Sequence, residues 1–117
     1  MTSTSAPIRA SRSASDPLLR EIVDRLVHSY QPNRVYLFGS VARGASGKDS
    51  DYDLLLVVPD DAQAERKRSR LAYDALRGTG IATDVVVCTQ RYFDARLHLK
   101  ASLPATVVRE GVLLRVG

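Results

Sequence analysis

The residue types able to do chemistry in this sequence concentrate in three places. Gly39-Ser40 closes the run Arg-Val-Tyr-Leu-Phe (34–38), and ten residues later Asp51-Tyr52-Asp53 opens the run Leu-Leu-Leu-Val-Val (54–58). A third carboxylate, Asp84, sits inside Ile-Ala-Thr-Asp-Val-Val-Val-Cys (81–88). Glycine directly after a strand lets backbone approach a ligand closely, because it has no Cβ. A serine at the start of the next helix adds a hydroxyl where free backbone N–H groups point outward, which makes a seat for phosphate. Alternation along an extended chain sends Asp51 and Asp53 to the same side. Like charges that close repel one another. A hard divalent cation such as Mg²⁺ relieves this, since it takes oxygen ligands and commonly joins one or two carboxylates to substrate phosphates. Asp84 has the setting of a buried strand, where a carboxylate should be capped, paired or bound to metal. Each feature also has a plain reading: a helix N-cap at Ser40, a polar turn at 51–53, and an edge-strand or loop-end aspartate at 84.

The elements that must hold these residues follow from local pattern. Asp16-Pro17 supplies an N-cap and a proline in the first helical turn. Leu18, Leu19, Ile22, Val23, Leu26 and Val27 recur at helical spacing, so 17–30 is an amphipathic helix that Pro32-Asn33 breaks. Residues 34–38 read as a strand, 40–45 as a short helix, and 52–58 as a strand apolar enough to be buried on both faces. Pro59-Asp60-Asp61 stops it, and a helix over 62–77 runs to Gly78. A strand over 82–88, a short helix over 90–96, a helix over 103–110 and a terminal Val-Leu-Leu-Arg-Val strand complete a mixed α/β (α+β) layer. The chain shows no internal repeat. The expected organisation is a disordered, basic, Ser-rich tail over 1–15 and one domain over 16–117.

Composition narrows the classes. The 117 residues are 44% hydrophobic and 26% charged, ordinary values for a globular domain. No apolar run approaches the roughly 20 residues that span a bilayer, and the N-terminal stretch lacks the apolar centre of a secretory signal. One cysteine, Cys88, excludes an internal disulfide framework and suits a reducing cytoplasm. His28, His98 and Cys88 lie too far apart in sequence for a zinc-ligand pattern. The net charge of +4 favours an anionic partner without choosing one. Arg66, Arg70 and Arg77 fall on one helical face opposite Leu71, Ala72, Ala75 and Leu76, which reads as a solvated outer face rather than a docking surface for an acidic partner or RNA.

The string Gly39-Ser40, ten residues, Asp51-x-Asp53 resembles the signature of the polymerase-β-like nucleotidyltransferase superfamily. The fuller GSVARG…SDYDLLLVV is similar to the minimal nucleotidyltransferases, small proteins paired with HEPN-domain toxins in bacterial toxin–antitoxin operons. The likeness covers 34–88 strongly and continues more weakly through LPATVVREGVLL (103–114), while the Ser-rich N-terminus and the LLRVG ending depart from it. The resemblance implies a small mixed sheet with helices packed mainly on one face, an NTP substrate such as ATP, and two Mg²⁺ ions. By position it implies Asp51, Asp53 and Asp84 as catalytic metal ligands, with Gly39, Ser40 and Arg43 holding phosphate. It further implies that AMP passes to a hydroxyl, a tyrosine of a HEPN toxin held in a hetero-oligomer, so that the chain acts as an antitoxin in the cytoplasm. Two alternatives stand beside it: an antitoxin that neutralises by binding alone, and an antibiotic-modifying nucleotidyltransferase.

Overall fold

The computed structural model describes residues 16–39 and 52–116. The expected tail over 1–15 and the expected short helix over 40–45 lie outside these. Helix α1 (Pro17–Tyr30) begins at Asp16, whose carboxylate accepts from the Leu18 N–H at 3.0 Å, and ends at Gln31 in left-handed conformation. Strand β1 (Arg34–Phe38) runs antiparallel to β2 (Tyr52–Val58), and β3 (Thr83–Thr89) runs parallel to β2 on its other side. The C-terminal β4 (Val112–Val116) pairs antiparallel with β1, giving the order β3-β2-β1-β4.

Between β2 and β3 lie a 3₁₀ turn (Ala64–Lys67) and the short helix α2 (Arg70–Ala75); α3 (Gln90–Arg96) and α4 (Leu103–Glu110) follow β3. The continuous helix expected over 62–77 is therefore divided. Glu65-Arg66-Lys67 carries no apolar residue to bury, and the 3₁₀ turn contributes nothing to the core. Where Leu71, Ala72, Ala75 and Leu76 recur, the chain packs on the core and holds α-helical geometry. Arg70 and Arg77 remain exposed.

Alternation on the strands divides the interior in two. Leu54, Leu56 and Val58 join Val35, Leu37 and the buried stripe of α1 (Leu19, Ile22, Val23, Leu26, Tyr30) in the larger cluster, with Ala72 of α2. Leu55, Val57 and Tyr36 face the other way, against Phe93 of α3 and Val107 of α4. The Tyr36 and Phe93 rings stack with centroids 5.7 Å apart. Residues 53–58 are all buried, as an apolar run between two covered faces requires. Gly111 ends α4 where a Cβ would lie 2.7 Å from both the Leu37 and Val107 carbonyl oxygens, so only glycine lets the helix end so close to β1.

Polar contacts tie the outer elements to this frame. The Asp24 carboxylate meets the Arg115 guanidinium of β4 at 2.6 Å. Arg25 donates to the Arg77 carbonyl at 3.1 Å, satisfying the chain end beyond α2. The fully buried Tyr30 hydroxyl donates to the Arg68 carbonyl and accepts from the Ala72 N–H at 2.8 Å, and burial pushes its pKa up. Tyr30→Phe should therefore leave both backbone groups without their partner and lower stability by about 1–3 kcal/mol. Chemical denaturation checks this; an unchanged midpoint would show that the hydroxyl does not anchor α2.

Candidate functional site

The carboxylates are placed by strand register. Phe38 of β1 is opposite Asp53 of β2, and Asp53 is opposite Asp84 of β3. Asp53 and Asp84 are thus neighbours across hydrogen-bonded strands, about 4.8 Å apart along the sheet. Both fall on the face that carries Leu55, Val57 and Cys88, since residues two apart share a side. Asp53 is 2% exposed, the only buried charged residue among those described.

Gly39 follows β1 directly, with φ +80°. A Cβ at this position would stand 2.2 Å from Asp53 Oδ2. The absent side chain is what lets the backbone turn over the carboxylate, and the positive φ is one that L side chains rarely adopt. Beneath the site, the Tyr52 hydroxyl donates to the Asp16 carboxylate, so the cap of α1 also fixes the first residue of β2. Neither contact is visible in the sequence pattern. The glycine was legible as a close-approach residue, but the group it approaches is the protein's own aspartate.

The setting of Asp84 corrects the expectation of a buried strand. Asp84 is exposed, and so is Val86, while Val85 and Val87 pack on the larger cluster. The physical reason is that β3 is the outer strand of the sheet, where a Val-rich run can leave one face in solvent. The interior carboxylate is Asp53 instead, and Asp84 stays exposed. Of the other expected site residues, Asp51, Ser40 and Arg43 lie outside the described residues. Cys88 closes the same face of β3 half-buried, and desolvation pushes its thiol up to about 11. It stays protonated at neutral pH and serves as a small apolar wall.

The donor set suits a hard cation. Two carboxylates side by side on one face, one withdrawn from water and one open, offer oxygen ligands of the kind that Mg²⁺ takes while keeping sites for water or phosphate.

Fold and site together define a small α/β domain with carboxylates aligned at the starts of two parallel strands beneath a glycine turn. The chain belongs to the nucleotidyltransferase domain family, whose model matches residues 19–113. Among solved structures it is similar to a candidate nucleotidyltransferase from Sulfolobus solfataricus, at 25% identity and TM-score 0.57, covering 97% of this chain and 89% of that one. It shares its fold with a chain from the crystal structure of a toxin–antitoxin with AMP-PNP, at 22% identity and TM-score 0.53, covering 82% of this chain and 72% of that one. No curated protein matches it. No helix among the described residues is long and apolar enough to cross a membrane.

Gly39→Ala tests the packing of the turn directly. A methyl group there must displace the Asp53 carboxylate and hold an unfavourable φ, so stability should fall by about 1–3 kcal/mol. Nucleotide binding should weaken with it. Thermal unfolding and ATP calorimetry on this variant check both, and an alanine variant matching wild type in each would remove Gly39 from the site.

Proposed function

We propose that this domain transfers a nucleoside monophosphate, AMP from ATP, to a hydroxyl group, and that the acceptor is a tyrosine of a HEPN-domain toxin that the chain thereby silences as its antitoxin. The observation that carries the reading is the register: Asp53 and Asp84 aligned on one face, with the Gly39 turn closed over the first. Family membership supports the reaction class. The shared fold with a toxin–antitoxin seen with AMP-PNP agrees with the biological setting and with a triphosphate ligand.

Asp51, Asp53 and Asp84 would hold two Mg²⁺ ions, which when bound supply charge neutralisation of the triphosphate and orient an in-line displacement. The chain's own residues do the rest. The Gly39 backbone and the Ser40 hydroxyl receive the terminal phosphates, and Arg43 donates charged hydrogen bonds to phosphate oxygen. Asp53, held by strands on both sides, fixes the position of the α-phosphate relative to the sheet. Asp84, on the open edge strand, stands where an acceptor hydroxyl can reach it and takes its proton as general base.

Clustered carboxylates should exclude a triphosphate unless a cation is present. ATP affinity measured by calorimetry should therefore fall in EDTA by at least about tenfold, roughly 1.4 kcal/mol. With Mg²⁺ and α-labelled ATP, label should pass to the toxin partner and pyrophosphate should be released. Equal ATP affinity with and without divalent cation would contradict the metal-bound reading, and a toxin silenced without label would show neutralisation by binding alone.

A further inference from the structure

β3 is an outer strand whose far side meets no other strand among the described residues. Open edges invite pairing with another chain, and proteins commonly blunt them with a bulge, a proline or a cationic side chain. The opposite edge carries such devices: β4 includes Arg115, and its register with β1 slips between Val35 and Tyr36. β3 carries none of them. It pairs with β2 along its whole length without a register shift, and it contains no lysine, arginine or proline. Val86, at its midpoint, is an apolar side chain 37% exposed.

The sequence of this strand reads almost alike in both directions. About Val86, Thr-Asp-Val-Val-Val-Cys-Thr matches Thr83 with Thr89, Asp84 with Cys88 and Val85 with Val87. An antiparallel copy related by a twofold axis through Val86 sets threonine against threonine and valine against valine. Each Asp84 then meets the other copy's Cys88, whose thiol, pushed up to about 11 by burial, carries no like charge. An axis normal to the sheet also keeps both faces continuous, with Asp84, Val86 and Cys88 on the side of Leu55 and Val85 and Val87 on the side of α1. Centring the axis on Val85 or Val87 would leave the strand ends unpaired, and the first would put Asp84 against Val86.

Charge agrees with the same register. Exposed Lys67 lines a cavity of about 410 Å³ with Leu55, Val86, Cys88, Tyr92 and Leu103, so it stands beside the C-terminal half of β3. It forms no ion pair among the described residues. Antiparallel pairing brings the other copy's Asp84 to that half of the strand, opposite Cys88. We propose that the β3 edge is an interface between two copies of this chain, which pair antiparallel about Val86 and join their four-stranded sheets into one, with Lys67 of each copy beside Asp84 of the other. The candidate site thereby gains a cation that its own chain does not supply. The inference needs the strand order and register alone, and it stands apart from the transfer reading.

The full chain at roughly 0.1 mM should sediment at twice the chain mass. Val86→Lys puts like charges face to face on the axis and should raise the dimer dissociation constant about tenfold or more, with an unchanged circular dichroism spectrum. Lys67→Asp should weaken the dimer as well, and combining it with Asp84→Lys should restore it, which a purely structural role of Lys67 would not do. Residues directly opposed across antiparallel strands lie about 4.5–5.5 Å apart at Cα, within disulfide range. In a Cys88→Ala chain, Val86→Cys should therefore cross-link two copies under mild oxidation, whereas Val108→Cys on the exposed surface of α4 should not. This arm decides the matter even where Val86→Lys fails to fold. A wild-type chain that stays monomeric would overturn the proposal. So would a folded Val86→Lys chain that dimerises as tightly as wild type, a charge exchange that restores nothing, or cross-linking that proceeds as readily through position 108.

Discussion

A carboxylate inside a sheet is the constraint to which the rest of this molecule conforms. Asp53 stands in the second position of β2, with Phe38 opposite on one side and Asp84 on the other, and it is almost wholly withdrawn from water. Burying such a group is costly unless charge or hydrogen bonds compensate it, so a chain selected for stability alone would place an apolar residue there. The neighbouring backbone is shaped to accept it. Gly39 has neither a Cβ nor a negative φ, and both are needed for the chain to turn so close above the Asp53 carboxylate.

The two faces of the sheet divide the labour. One carries α1, whose buried stripe and Tyr30 hydroxyl bind the sheet to α2 and the 3₁₀ turn, and whose N-cap Asp16 also holds Tyr52 at the mouth of β2. Among the described residues the other is covered by Phe93 and Val107 from α3 and α4. Asp53 and Asp84 stand on that face where β2 and β3 begin, beside the adjoining cavity. Helices thus pack on both sides, α1 and α2 on one and α3 and α4 on the other, where the family resemblance implied packing mainly on one face; Asp84 remains exposed.

How much of this was legible in the sequence depended on the range of the interaction. Helical spacing set α1 and α4, and the Val-Leu-Leu-Arg-Val ending paired as a strand, because burial on a covered face imposes a period that composition reveals. The carboxylates were legible because polar residues at the mouth of an apolar run conflict with core building. The exposure of Asp84 was not legible. Whether a Val-rich strand is central or at an edge is decided by sheet order, which no local pattern carries. The division of 62–77 was hidden for a related reason, since charged residues with good helix propensity promised a helix that the core had no use for. The Gly39–Asp53 contact joins residues fourteen apart in sequence, and the pocket joins β2, β3, α3 and α4; both exist only once the strands are in register.

The central claim is that Asp53 is kept inside the sheet for chemistry and not for stability. Asp53→Asn preserves the shape of the side chain and removes its charge, so it separates the two directly. The account predicts that the variant stays folded, because the side chain keeps its shape between β1 and β3. It predicts single-turnover transfer per folded molecule lower by two or more orders of magnitude, the scale on which positioned catalytic groups act. A variant that unfolds at lower temperature yet transfers at the wild-type rate per folded molecule would contradict it.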